Sequence, residues 1–149
     1  MSFDFSTDNL FSIKHLRFKR LWLACGLLLI CGVIFASVAS VPAQVSRLLL
    51  NDKLTHVVVY AGLMGWFSQI FRHDLTRLAF VVLLSGMGIG IEFLQAATPR
   101  RQFEVLDMIA NTSGVVLAWA LAYTWVGTIL WRLESLFFKP PLEFNPSTE

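Results

Sequence analysis

Charged residues are scarce in this chain: Lys, Arg, Asp and Glu make up 15% of its 149 residues, whereas 56% of the residues are hydrophobic. Soluble domains of this size rarely reach the observed mean hydropathy of +0.64. Because each helical crossing of a membrane needs about 20 apolar residues, the length allows four crossings and no separate soluble domain. The scarcity of charge therefore predicts an integral membrane protein.

Cysteine is also rare, and Cys25 and Cys31 lie six residues apart in one apolar run. On a single helix their side chains point in different directions and cannot form a disulfide, so they do not indicate a redox compartment. A continuous basic face is missing too, because the twelve Lys and Arg residues lie between apolar runs. This distribution argues against a nucleic-acid partner and is typical of membrane topology signals.

Four apolar runs predict an all-α integral membrane bundle of four transmembrane helices, at about 21–41, 54–71, 78–97 and 108–131. The flanking segments, 1–20 and 132–149, are predicted to be a cytoplasmic N-terminal segment and a cytoplasmic tail. Basic residues number eight on one side of the predicted spans and four on the other, so the positive-inside rule places both termini in the cytoplasm. A cleavable signal peptide is the alternative for the first run, but its apolar core is too long for one.

Polar residues gather at one end of the second, third and fourth predicted spans, at spacings of three and four residues that place them on one helix face. In the third span they are Ser85, Gly88, Glu92 and Gln95. At the start of the second they are Lys53, His56 and Tyr60, with Asp52 as an N-cap, and at the start of the fourth they are Glu104, Asp107, Asn111 and Gly114. The second span begins at the membrane face where the third ends and the fourth begins. We therefore expect these residues to converge in one outward-facing pocket.

Glu92 lies within a predicted span. Burial of an ionised carboxylate at mid-membrane costs about 2.5 to 3.5 kcal/mol on insertion scales, so we expect Glu92 to face the bundle interior and to have a partner. Glycines in the same spans are expected to let the helix backbones approach closely. They are Gly62, Gly65, Gly86, Gly88, Gly90 and Gly114.

Three motifs in this region resemble the VanZ-like family: Asp52-Lys53-x-x-His56, Glu92-x-x-Gln95 and Arg101-x-x-Glu104-x-x-Asp107-x-x-x-Asn111-x-x-Gly114. The resemblance covers about 51–122 and implies a small bacterial membrane protein with a role in the cell envelope. The family's namesake is associated with resistance to the glycopeptide antibiotic teicoplanin. Where the family commonly has Phe after the histidine and Gly or Ser between the arginine and the acid, this chain has Val57, Gln102 and Phe103, which bears on ligand fit more than on membership.

The leading hypothesis is a pocket on the outer face of the bacterial cytoplasmic (inner) membrane that binds a membrane lipid headgroup or a lipid-linked cell-wall precursor. Arg101 and Lys53 would contact its anionic groups. The predicted ligand-binding residues are Asp52, Lys53, His56, Glu92, Gln95, Arg101, Glu104, Asp107 and Asn111.

Two other functions stay open. In a membrane hydrolase or transferase acting on a lipid-linked substrate, His56, Glu92 or Asp107 would be the general acid or base, although the sequence contains no nucleophile motif. Alternatively, the chain is a helper or scaffold that packs against another envelope protein or a second copy of itself, and its polar residues only join helices. One histidine with scattered acids matches no strong metal-ligand spacing, so the sequence predicts neither a metal nor a cofactor.

Overall fold

The computed structural model describes residues 16–38, 52–97 and 103–138. The helices are α1 (Lys19–Val38), α2 (Asp52–Ile70), α3 (Asp74–Ala96), α4 (Val105–Leu121), a short 3-10 helix (Trp125–Thr128) and α5 (Ile129–Phe137). No strand occurs in these three segments, so the predicted all-α class is confirmed.

Two described helices, α1 and α3, are long and apolar enough to cross a membrane. Their outward faces carry exposed apolar side chains such as Leu28, Phe35 and Val82, as expected for contact with lipid. A third candidate is α4 taken together with the 3-10 helix and α5, which are bent relative to α4 by 78°. Four separate spans and the side of each terminus therefore remain predictions.

The helix predicted over 108–131 is not continuous, because the chain bends after Leu121. The Thr124 hydroxyl donates to the Leu121 carbonyl at 2.7 Å and accepts from the Val126 N–H at 3.3 Å. A side chain that bonds its own backbone in this way competes with the helical ladder. Gly127 then packs on the Ala122 carbonyl, where a Cβ would clash. The helix resumes and ends at Phe137, beyond the boundary predicted at 131.

The central element of the bundle is α2, which contacts α1, α3, α4, α5 and the 3-10 helix. Tyr60, Leu63 and Met64 of α2 pack with Leu84 of α3 and Val115 of α4 in the main apolar core. This burial removes apolar surface from contact with solvent or lipid and fixes α2 between its neighbours.

Close helix approach occurs at two of the predicted glycines. A Cβ on Gly114 would clash with the Val57 carbonyl oxygen, so α2 and α4 cross with their backbones nearly touching. A Cβ on Gly88 would lie 3.0 Å from Asn111 and 3.2 Å from the Tyr60 ring. The same prediction is wrong for four others, which face open space among the described residues: Gly62, Gly65, Gly86 and Gly90.

The bundle has two ends that both contain ionisable groups. We call the end formed by the start of α2, the end of α3 and the start of α4 the polar end. We call the opposite end, where α2 ends and α3 and α5 begin, the capped end. At the capped end, Glu134 of α5 and Arg77 of α3 are both buried.

Candidate functional site

The polar end is built from two parallel neighbours, α2 and α4, which both begin there. Lys53 contacts Asp107, His56 contacts Asn111, and Val57 meets Gly114, so successive turns of the two helices face each other. The stripes predicted on these helices therefore form one surface. The close approach at Gly114 brings short side chains such as Asp107 and Asn111 within reach of α2.

Lys53 is the centre of an ion-pair cluster. Its ammonium donates to the carboxylates of Glu104 and Asp107, and it lies 3.8 Å from Asp52 Oδ2. The bond to Asp107, followed by that to Glu104, raises the pKa of Lys53 above its ordinary value. Lys53 thus stays charged, and its charge is already matched by carboxylates of the protein.

His56 is oriented by Asn111, since His56 Nδ1 lies 2.9 Å from Asn111 Oδ1. An amide oxygen can only accept, so Nδ1 is the protonated donor of this bond. The other ring nitrogen, Nε2, lies 3.6 Å from Asp107 Oδ2 and 3.9 Å from Asp52 Oδ1. His56 therefore presents Nε2 to two carboxylates without forming a hydrogen bond to either.

Glu92 and Gln95 face inward, as predicted, but they connect helices and do not contact His56. Glu92 is 1% exposed, and its Oε1 accepts the Glu104 N–H at 2.9 Å. Gln95 donates from Nε2 to the Ser37 carbonyl at 3.0 Å, which ties α3 to α1. Among the described residues, no hydrogen bond or ion pair joins Glu92 to His56 or Asp107. Glu92 reaches the cluster only through Glu104.

Three buried oxygens below this cluster have no hydrogen-bond partner in the described part of the chain: the Tyr60 hydroxyl, Glu92 Oε2 and the Ser85 hydroxyl. Buried polar atoms are paired in the large majority of cases. Tyr60 lies one helical turn deeper in α2 than His56, and the carboxylate of Glu92 acts on it electrostatically. These oxygens mark a polar region between α2 and α3 that a water or a ligand group would complete.

The predicted site residues fall into three groups. A contact network joins Asp52, Lys53, His56, Glu104, Asp107 and Asn111. Glu92 and Gln95 lie at the same end and connect the surrounding helices. Arg101 lies outside the described residues. Gly88, which the sequence placed on the Glu92 face and among the close-approach glycines, lacks a side chain and so allows Tyr60 and Asn111 to approach α3.

The outer surface next to the site is apolar. Phe93 and Leu94 of α3 are exposed, although Glu92 and Gln95 on the opposite face are buried. Leu106 of α4 is exposed beside buried Asp107. The site thus lies where a polar interior meets an apolar exterior at one end of the bundle.

Comparison with known proteins identifies the family. A family model described as VanZ/LLP1 matches residues 11–130, which includes α1 as well as the region of the motifs. An uncharacterized protein of Schizosaccharomyces pombe is 33% identical over 72 residues, covering 46% of this chain and 44% of that relative. The matched region is thus less than half of the yeast protein. No solved structure shows a significant match. Because the match to the family model extends over most of the chain, the protein belongs to the VanZ/LLP1 family.

Proposed function

We propose that this membrane protein binds, at its polar end, the headgroup of a membrane lipid or of a lipid-linked cell-wall precursor. The observation that supports this most directly is the convergence of α2 and α4 on His56 and Asp107. Each of these side chains has a polar atom without a hydrogen bond among the described residues, although Asp107 is only 8% exposed. Clustered ionisable groups inside an apolar bundle are costly and are typical of functional sites.

The charges of the site favour a headgroup that donates hydrogen bonds. The described part of the site contains four carboxylates, those of Asp52, Glu92, Glu104 and Asp107, against the single ammonium of Lys53. Lys53 already pairs with two of them. Among the described residues, an ammonium or hydroxyl group would therefore find acceptors, whereas a bare phosphate would meet like charge. From the sequence alone, we expect Lys53 to contact an anionic group of the ligand. We now propose that Lys53 pairs with Glu104 and Asp107, and that the carboxylates contact the ligand.

An amphiphilic ligand fits the surroundings of the site. Exposed Phe93, Leu94 and Leu106 offer an apolar surface beside the buried polar residues. Acyl chains could lie against this surface while the headgroup reaches His56 and Asp107. The acyl chains would then lie in an apolar environment and the headgroup in a polar one, while the ligand stays in the membrane.

We place the polar end on the extracytoplasmic side, which in a bacterial cell is the outer face of the inner membrane. The distribution of Lys and Arg supports this orientation, because the more basic flanks of the spans belong to the opposite side. The envelope role follows from the orientation: headgroups and lipid-linked cell-wall precursors are displayed on that face. Glycopeptide resistance is a property of the family's namesake, and drug susceptibility of cells carrying Asp107→Asn would test it here.

The test is headgroup binding by the purified full-length protein in detergent, followed by native mass spectrometry. We expect phosphatidylethanolamine to bind at least about tenfold more tightly than phosphatidylcholine, whose quaternary ammonium has no N–H donor. Asp107→Asn should remove this preference. Asp74→Asn, the same substitution at the capped end, should retain it. Equal binding of both lipids, or equal loss in both variants, would overturn the proposal, and a preference for phosphatidylglycerol would restore the anion-binding interpretation.

A second candidate function is acid–base catalysis on a lipid-linked substrate. The orientation of His56 favours it, because the bond from Nδ1 to Asn111 leaves Nε2 available to accept a proton. In this candidate reaction His56 would take a proton from water, which would be the nucleophile. Release of a water-soluble headgroup by the purified protein, abolished in His56→Gln, would identify a hydrolase. Loss of cellular abundance together with function in both His56→Gln and Asp107→Asn would instead indicate a helper or scaffold.

A further inference from the structure

Three side-chain atoms converge at the start of α2 and α4. One potential ligand atom from each of Asp52, His56 and Asp107 lies within 4.8 Å of the other two. His56 Nε2 is 3.9 Å from Asp52 Oδ1 and 3.6 Å from Asp107 Oδ2. Asp52 and His56 are four residues apart on α2, so one helix face presents both, and Asp107 approaches from α4. Each carboxylate turns its other oxygen toward Lys53. Each carboxylate therefore faces the Lys53 ammonium with one oxygen and the His56 ring with the other.

The three facing atoms are electron-pair donors. When the His56 ring is neutral and Nδ1 donates to Asn111 Oδ1, Nε2 carries a lone pair. The separations of 3.6 Å and 3.9 Å are too long for hydrogen bonds. The Asp107 side chain as a whole is only 8% exposed. Converging lone pairs from two anions and an imidazole are stable together when a cation lies between them.

From this geometry we infer that Asp52, His56 and Asp107 bind a divalent transition-metal ion, with Zn²⁺ as the best match. Zinc binds imidazole nitrogen and carboxylate oxygen at about 2.0 to 2.2 Å, which places tetrahedral ligand atoms about 3.3 to 3.6 Å apart. His56 Nε2 lies 3.6 Å from Asp107 and 3.9 Å from Asp52, and Asp52, whose side chain is 65% exposed, has room to move inward. The imidazole disfavours Mg²⁺ and Ca²⁺, which prefer oxygen ligands alone.

The surroundings supply the support that metal-bound side chains need. A ligating histidine usually donates its other N–H to an oxygen acceptor, and buried Asn111 provides this acceptor for His56. Lys53 holds the second oxygen of Asp107 and so orients that carboxylate. Three protein ligands leave one tetrahedral position for water or for a ligand atom. This inference goes beyond headgroup binding and does not depend on it, although Zn²⁺ and a headgroup ammonium would compete for the same atoms of His56 and Asp107.

The experiment measures Zn²⁺ binding to the purified full-length protein in metal-free detergent buffer without added lipid, by calorimetry and by metal analysis after dialysis. We expect one Zn²⁺ per chain for the wild type. Asp52→Ala should weaken binding at least about tenfold, and Asp52 is exposed enough that its loss leaves the fold intact. His56→Ala and Asp107→Ala should abolish binding. The matched control His73→Ala changes a histidine at the capped end and should bind Zn²⁺ like the wild type.

Co²⁺ provides a second measurement that does not depend on protein yield. The visible spectrum of the Co²⁺-loaded wild type should show the bands of a tetrahedral site, and Asn111→Ala should weaken Co²⁺ affinity about 10- to 100-fold without changing the number of ions bound. Wild-type protein that binds no Zn²⁺, or Zn²⁺ affinity that is unchanged in both Asp52→Ala and His56→Ala, would overturn the inference. Because lipid is absent, either result leaves the headgroup proposal to its own test.

Discussion

The polar and capped ends both contain buried ionisable residues, but these residues have different partners. At the capped end, Glu134 accepts from the N–H groups of Arg17 and Phe18 at 2.7 and 3.1 Å and from Trp22 Nε1 at 2.6 Å. Arg77 donates to the carbonyls of Phe71 and Ser68 at 3.1 and 3.2 Å. These bonds satisfy the backbone groups that the beginning of α1 and the end of α2 leave unpaired.

At the polar end, His56 and Asp107 instead interact mainly with other side chains, and His56 Nε2 and Asp107 Oδ2 have no hydrogen bond within the described segments. A buried charge with backbone partners is explained by folding. A buried charged residue that has an atom without a hydrogen bond is typical of a ligand-binding site. The comparison therefore indicates that burial alone does not identify a functional residue in this protein, whereas the kind of partner does.

The largest expected effect is at the capped end. Glu134→Ala removes the acceptor for two backbone N–H groups and for the Trp22 indole, so the start of α1 loses these bonds to α5 and keeps its apolar and ring contacts. We expect a loss of about 3 kcal/mol in the free energy of unfolding. Reversible unfolding by SDS in mixed micelles would measure it. Glu134→Gln keeps one acceptor oxygen and should lose less; equal stability of both variants and the wild type would contradict this account of the capped end.

Gly88→Ala should have an intermediate effect and should lower both the free energy of unfolding and the affinity for ligands. The added methyl group would lie 3.0 Å from Asn111, which must move and take its bond to His56 with it. We expect a loss of about 1 to 2 kcal/mol in unfolding free energy, with weaker phosphatidylethanolamine and Zn²⁺ binding. Gly86→Ala is the matched control, because its methyl group would enter open space. Unfolding and ligand titrations of both variants test this, and identical behaviour would refute it.

Asp107→Asn should separate function from stability. The substitution preserves shape, and Lys53 retains Glu104, so we expect less than about 1 kcal/mol of lost stability. Phosphatidylethanolamine binding and Zn²⁺ binding should each fall at least about tenfold. The comparison between the two ends would fail if Asp107→Asn unfolded the protein as readily as Glu134→Ala while ligand affinities stayed normal.

Lys53→Gln should have the smallest effect. Lys53 is 35% exposed, so screening by solvent limits the contribution of its ion pairs to a few tenths of a kcal/mol. Its pKa is raised in the folded state, so this contribution is complete below the ordinary value of 10.5 and is lost as the pH rises through the folded-state pKa. Thermal unfolding at pH 8 and above pH 10.5 would test this pH dependence. The difference in stability between Lys53→Gln and the wild type should shrink at high pH and in high salt.

Much of the candidate site could be predicted from local patterns. The spacing of Glu92 and Gln95 in α3 placed both on the buried face, because helical periodicity depends only on neighbouring residues. The grouping of Asp52, Lys53 and His56 at the start of α2, and of Asp107 and Asn111 near the start of α4, follows from the same periodicity. The contacts between these groups could not be predicted, because they depend on how α2 crosses α4.

The sequence by itself determined the all-helical class, the apolar character of α1 and α3, and the presence of polar residues at one end of the bundle, since these properties are local. Only the tertiary structure decided that Asn111 orients His56, that Glu92 bonds the backbone of Glu104, and that the chain bends sharply after Leu121. It also decided that Glu134 caps α1 from more than 100 residues away. Such pairings arise from helix packing, where backbone approach at a single glycine such as Gly114 determines which side chains meet.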